Sequence, residues 1–432
     1  MHYNGKAATS EQPYPLNSRP KRILYVDHTA KIGGGEIAIF NLVNAIDKQR
    51  FHPVFVLSST GPLVDRLKAA NIETYVIELD PSINDTRKDS LGLSSLLKFG
   101  AIVKCLSYVR KLSSFMRGRD IDLVHTNSLK AHIFGGIAGR MAGLPVIWHV
   151  RDAIDSNYLP RIVAKTVKKL ASVIPNHIVA NSANTLKKLE LINSFSLSVI
   201  YSGVSVQGSF GFPMVIHDGC DPNFYSDSTQ NVVGATSENR SVVTMVGRIA
   251  EWKGQHIFLR AAAAVLKSWP ETIFQIAGAP LFGEQLYERS LFALTEELGI
   301  QDRVEFLGFR DDIPEIIAGC DVLVHASIIG EPFGQVVIEG MVSGKPVVAT
   351  NGGALPEIVI DGETGCLVPM GDPNAMAHAI GSLLADPEKR RNMGSAGRER
   401  VLANFTIDRC AQEFHHVYDM MLHPVEKSTV RR

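Results

Sequence analysis

Cysteine is scarce in this chain and shows no pattern. Five occur in 432 residues, Cys105, Cys220, Cys320, Cys366 and Cys410, scattered and without a CxxC pair. That spacing excludes a disulfide framework and a cysteine-ligated zinc site, and it fits a reducing, cytoplasmic setting. Charge of one sign is also missing. The 44 basic side chains are matched by 44 acidic ones, so the balance does not call for nucleic acid. No apolar run reaches the length of a membrane span. The first twenty residues, MHYNGKAATSEQPYPLNSRP, lack the apolar centre of a signal peptide and read as a disordered lead. A spaced GxGxxG fingerprint is absent too, which argues against a nicotinamide-dependent oxidoreductase.

What is present is a long chain of ordinary globular composition, 45% hydrophobic and 20% charged. Its length exceeds what one hydrophobic core usually organises, so two domains are expected. Short apolar runs alternate with segments of helical spacing: KRILYVDH, HPVFVLS, IDLVHTN, LPVIWHV and HIVANS form one series. SVVTMVGRI, TIFQIAG, RVEFLGF, DVLVHAS, KPVVATNGG and GCLVPMG form a second. Strands alternating with helices predict α/β architecture, with parallel sheets in two Rossmann-like domains facing across a cleft. The expected organisation is a lead over 1–20, a first domain over 21–205 and a linker over 206–240. A second domain over 241–403 and a helix and tail over 404–432 complete it, the helix free to pack on either lobe. The linker holds two similar phrases, IYSGVSV and IHDGCDP, so its boundary is not sharp.

Three stretches carry chemistry. In KIGGGE, Gly33, Gly34 and Gly35 fall between a strand and a helix, where bare backbone amides and a helix N-terminus suit an anion. Read alone, they equally suit a chain reversal. VGRIAEWKGQ brings Arg248 and Lys253 onto one strand-to-helix loop, a forked guanidinium and a mobile ammonium fit for phosphate oxygens. EPFGQVVIE places Glu331 at a loop edge and Glu339 inside a helix, about 12 Å apart at helical rise. Two carboxylates at that separation suit opposite ends of a long ligand, each accepting from vicinal hydroxyls, and a nucleotide-sugar has that form. Glu331 also fits the positive end of a helix dipole, and Glu339 an exposed helical charge.

These residues resemble the GT-B-fold retaining glycosyltransferases of family 4, the glycosyl transferases group 1. The likeness runs from GGGE through GRIAEWKG to EPFGQVVIE and GKPVVATNGGALPEIV, most of the chain. It implies that Glu331 contacts the transferred sugar, helped by the amides near Phe333 and Gly334, and that Glu339 holds the ribose. By the same likeness Arg248 and Lys253 neutralise the donor diphosphate, and Gly33, Gly34 and Gly35 close on it from the opposite lobe. His149, at the end of VIWHV, falls where the family places a cleft histidine, and strand ends of this kind face the crevice. The loop Gly308, Phe309, Arg310 is expected to read the base through its backbone, leaving UDP, GDP and ADP donors open.

The activity implied is hexosyl transfer from a nucleotide-sugar to an acceptor hydroxyl on a glycan, a lipid-linked molecule or a small molecule. No cofactor and no metal are expected. The Asp120 and Asp122 pair in RDID leads into a strand and is not read as a metal motif. A nucleotide-sugar epimerase, a sugar phosphorylase and a non-catalytic nucleotide-sugar sensor are the alternatives. The acceptor is expected near HTNSLKAH and HVRDAIDSNY. One stretch, residues 91–119, carries six basic and no acidic residues among many apolar ones. It fits a peripheral contact with an anionic membrane, but its basic positions scatter around a helix, which suits a half-buried helix of the first lobe better.

Overall fold

A computed structural model describes residues 19–84, 99–155, 159–190, 213–225, 240–281 and 283–423. The first sheet contains β1 (Lys21–Asp27), β2 (Phe51–Leu57), β3 (Glu73–Val76), β4 (Leu123–Thr126), β5 (Val146–Val150), β6 (His177–Ala180) and β7 (Met214–Val215). Its order is β3-β2-β1-β4-β5-β6-β7, and every pairing is parallel. The second sheet contains β8 (Val242–Val246), β9 (Ile273–Ala277), β10 (Val304–Gly308), β11 (Val322–His325), β12 (Val347–Thr350) and β13 (Cys366–Val368). Its order is β10-β9-β8-β11-β12-β13, again parallel throughout.

Strands such as Ile23–Val26 and Val322–Val324 are apolar at successive positions and buried on both faces, the signature of parallel strands covered by helices on each side. In both sheets the order reverses beside the opening strand, at β1 and β4 and at β8 and β11. Such switch points leave a crevice at the carboxyl ends of the strands. Loops after β1, β8 and β11 carry Gly33, Lys253 and Glu331, so topology alone brings the three chemically marked stretches to the two crevices.

Three features differ from or refine the sequence reading. β3 was not among the named runs; it is a short strand of mixed exposure, which weakens its apolar signal. β7 falls inside 206–240 and pairs with β6, so the first lobe reaches at least to Val215. The phrase IYSGVSV lies outside the described residues. The final helix, Ile407–Leu422, packs on the first lobe: Ile407, Cys410, Phe414, Val417 and Tyr418 share a core with Ile39, Leu42 and Val43. Chain therefore crosses between lobes twice, and the crossings pair. Cys220 N–H donates to the Phe405 carbonyl at 3.0 Å, and Ile407 N–H donates to the Cys220 carbonyl at 2.9 Å.

The helix Phe99–Arg117 sits on the first sheet through Tyr108, Val109, Leu112 and Met116, while Ile102, Val103 and Leu106 stand exposed. Among the described residues no helix is long and apolar enough to cross a membrane.

Candidate functional site

Lys253 and Glu331 meet in the second lobe. The chain leaves β8 through Arg248, makes a single helical turn at Glu251–Lys253, and enters the helix Gln255–Leu266 behind Gly254. Gly254 has φ of +77°, and a Cβ there would lie 2.0 Å from the Ala326 carbonyl oxygen, so only glycine lets this turn lie against the end of β11. Ile328 N–H donates to the Trp252 carbonyl at 2.9 Å and ties the two loops together. Across that junction the Lys253 ammonium donates to Glu331 Oε1. The same oxygen accepts from Ser327 Oγ at 3.0 Å and lies 3.3 Å from His325 Nε2. The Glu331 backbone is held from the other side by the turn at Gly353, whose φ is +65° and whose Cβ position is closed off by the Glu331 carbonyl at 2.0 Å.

Glu331 is only 7% exposed. Burial alone would push its carboxyl up, but the Lys253 ammonium and the His325 hydrogen bond outweigh that and hold it well below the usual carboxylate range. It is therefore a fixed anion with a fixed cation beside it. Arg248 lies on the same loop, 3.7 Å from Glu284, with its guanidinium 5.8 Å from the Trp252 ring; the Lys253 ammonium is 4.4 Å from that ring. Both basic residues thus stand on one aromatic platform.

Glu339 lies in the second turn of the helix Gln335–Val342, which begins after Gly334. It is partly buried and hydrogen-bonds to Tyr225 and Gln335. Burial raises its pKa to about 7, offset only in part by those bonds. Phe333 is a core residue, its ring tilted against His217 and edge-on to Phe405, so of the Phe333–Gly334 pair only the backbone is offered to a ligand. In the loop after β10, Gly308 has φ of +66°, Phe309 is exposed, and Arg310 is engaged by the Asp312 carboxylate.

In the first lobe Gly33 caps the helix Gly34–Ala45, and the Glu36 carboxylate turns back to accept from Gly33 N–H at 3.1 Å. Burial, with Asp27 nearby, pushes Glu36 up. Behind this turn the buried Asp27 accepts from Asn127 Nδ2 at 2.7 Å, Ser128 Oγ at 2.8 Å and His28 N–H at 2.7 Å. Asp122 is engaged by Arg19 at 2.8 Å.

His149 stands near the end of β5 as expected; its ring is fully buried, packed on Phe414 of the final helix with Nδ1 3.1 Å from His125 Nε2. The final helix, whose lobe the sequence left open, covers it.

The lobes touch beside Glu331. Ser182 Oγ and Thr185 Oγ1 donate to the Pro332 carbonyl at 2.6 and 3.2 Å. The Glu357 carboxylate accepts from Ala183 N–H and Asn184 N–H, each at 2.8 Å, and lies 3.2 Å from His217 Nε2. His325, Ser327, Tyr225 and Glu357 were not singled out from sequence. His325 had the same signal as His149, a histidine closing an apolar parallel strand; Glu357 stood inside GGALPEIV without a role.

Two family descriptions match the chain: Glycosyltransferase Family 4 over residues 32–207 and Glycosyl transferases group 1 over residues 227–400. The D-inositol 3-phosphate glycosyltransferase of Corynebacterium diphtheriae is 38% identical over 181 residues, 41% of this chain and 42% of that protein. Spore coat protein SA of Bacillus subtilis is 30% identical over 184 residues, 42% of this chain and 49% of that protein. The match thus spans less than half the length of these curated relatives. Among solved structures, Anabaena Alr3699/HepE in complex with UDP and glucose superposes with a TM-score of 0.76 at 26% identity, covering 92% of this chain and 99% of that one. Sucrose-phosphate synthase from Thermosynechococcus elongatus shares the fold, with a TM-score of 0.70 at 21% identity over 93% of this chain and 98% of that one.

Proposed function

The chain belongs to the group 1 and family 4 glycosyltransferases and has their α/β GT-B fold, and from that premise we propose that it moves a sugar from a nucleotide-diphosphate-sugar to an acceptor hydroxyl. The proposed reaction retains configuration at the anomeric carbon and uses no bound metal.

The observation that carries this reading is the Lys253–Glu331 pair, a buried anion and its cation at the mouth of the β8 and β11 loops. An ammonium has three N–H donors, so the contact with Glu331 leaves others for diphosphate oxygens. As the bond from the anomeric carbon to the diphosphate breaks, negative charge grows on the leaving group. Lys253 and Arg248 meet it there, already positioned. Glu331, ionised and oriented by Ser327 and His325, accepts from the hydroxyls of the transferred sugar. Glu339 accepts from ribose, and the backbone of Gly308–Arg310 reads the base. The acceptor hydroxyl attacks on the face the diphosphate leaves and passes its proton to the departing diphosphate oxygen. A UDP-linked donor is favoured by the likeness to HepE, which is solved in complex with UDP-glucose.

For the acceptor, the exposed Ile102, Val103 and Leu106 stand beside the exposed Arg110 and Lys111 on the helix Phe99–Arg117. That face suits a peripheral contact with an anionic membrane carrying a lipid-linked acceptor; flotation with vesicles of anionic and of neutral lipid tests it.

The function itself is tested by NMR on purified protein mixed with UDP-, GDP- and ADP-sugars, with Glu331→Gln as control. Slow cleavage of one donor, lost in the control, supports the transferase; binding without cleavage in the presence of acceptors supports a sensor; no binding removes the reading.

A further inference from the structure

A chain of buried hydrogen bonds runs from the final helix to His149. Tyr25 and Tyr418 hydroxyls are 2.9 Å apart, the Tyr418 hydroxyl is 2.8 Å from His125 Nδ1, and His125 Nε2 is 3.1 Å from His149 Nδ1. All four side chains are fully enclosed. The direction of each bond follows from its ends. Arg151 lies 3.4 Å from His149 Nδ1, and a guanidinium only donates, so that nitrogen accepts. His125 Nε2 therefore carries the proton it gives to His149, which leaves His125 Nδ1 as an acceptor. Tyr418 must donate to it, and Tyr25 must donate to Tyr418. With this assignment every hydroxyl in the chain is satisfied.

The opposite polarity fails twice. It would point a His149 N–H at the Arg151 cation, and it would turn the Nε2 lone pair toward Asp218 Oδ1, 4.0 Å away. Asp218 is committed to Arg151 at 2.5 Å, so it attracts the Nε2 proton without bonding to it. Among the described residues His149 Nε2 has no hydrogen-bond partner.

We infer that Tyr418, acting through His125, is a positioning residue that fixes His149 as the neutral Nε2–H tautomer, presenting one N–H donor to an oxygen of a bound ligand. His149 is then a donor and not a proton acceptor in this site. The final helix returns to the first lobe carrying the group that sets this. Burial and the Arg151 charge, which hold both histidines well below the usual histidine range, keep them neutral.

The assignment of the ligand rests on the transfer reading; the tautomer does not. Long-range 1H–15N spectra of protein labelled at histidine, assigned with His125→Gln and His149→Gln, read it directly. Wild type is expected to show His125 and His149 neutral at pH 7 with the proton on Nε2. Tyr418→Phe, which removes the donor to His125 Nδ1, is expected to mix the His125 tautomers and to disturb His149 with it. Tyr25→Phe leaves the Tyr418 donor in place and is expected to leave both rings unchanged. Donor turnover in Tyr418→Phe is expected to fall about three- to tenfold, the worth of one hydrogen bond. A His149 proton on Nδ1, a charged His149, or Tyr418→Phe spectra identical to wild type would overturn the inference. Wild-type spectra decide the tautomer whether or not the variant folds, and absence of any turnover in wild type would count against the transfer reading alone.

Discussion

Ser182 of the first lobe donates its hydroxyl to the carbonyl of Pro332 at 2.6 Å, and Pro332 directly follows Glu331. The residue that anchors the proposed sugar site is thus one peptide away from a contact between lobes. Glu357 reinforces it by capping the helix Ala183–Lys188 from the other domain.

Glu357→Ala removes the acceptor for two N–H groups of that helix and the partner of His217. Stability is expected to fall by about 1 to 2 kcal/mol, the usual cost of a lost cap. Small-angle scattering is expected to show a larger radius of gyration as the lobes separate. An unchanged scattering curve would mean that the Ser182 and Thr185 bonds to Pro332, with the crossings at Cys220 and Ile407, hold the closed arrangement without Glu357.

Lys253→Ala strips the cation from a buried carboxylate, so it is expected to lower thermal stability as well as donor turnover. Removing one member of such a pair costs up to about 3 kcal/mol, because the remaining charge is left uncompensated. Lys253→Ala with Glu331→Gln is expected to recover part of that stability and none of the activity. A double variant less stable than the single one would contradict the pairing.

Arg248→Ala is expected to behave differently. Its guanidinium is more open to solvent than the Glu331 carboxylate, and its ion pair with Glu284 is long at 3.7 Å, so stability is expected to change by less than about 1 kcal/mol. Turnover is expected to fall about 10² to 10³-fold, as on loss of one preorganised donor to a leaving group. Arg248→Lys is expected to restore little, since an ammonium lacks the fork. Wild-type turnover in Arg248→Ala would remove it from the site.

Glu339 gives a pH signature. Its folded-state pKa of about 7 lies above the ordinary 4.5, so the protonated form is the one the fold favours. That contribution to stability is complete below 4.5 and is lost as pH rises through about 7. Denaturation across this interval is expected to show the decline in wild type and not in Glu339→Gln. Affinity for a nucleoside diphosphate moves the other way, rising as the carboxylate ionises and becomes the better acceptor for ribose hydroxyls. The same pH profile of affinity in both proteins would break the ribose assignment.

The strand series of both lobes was readable because each parallel strand is buried on two faces and so appears as an uninterrupted apolar run. Lys253 and Glu331 were readable because each stands in a loop between such a run and a helix. What joins them was not: Lys253 reaches Glu331 only because β11 lies beside β8, and strand order leaves no mark on local sequence. Glu357 and Tyr418 are further examples. Each acts on the other lobe or across a crossing, and its role depends on how two domains sit together. His149 shows the converse, a residue with a strong local signal whose hydrogen-bond partners were decided by the final helix packed against it.

The most direct test of the donor site is calorimetric titration of the protein with UDP, GDP and ADP and with the corresponding monophosphates, in wild type and in Arg248→Ala. Tighter binding of one diphosphate than of its monophosphate, with that margin lost in Arg248→Ala, is the result expected if Arg248 and Lys253 hold the diphosphate. Equal affinity for diphosphate and monophosphate, unchanged by the substitution, would contradict it.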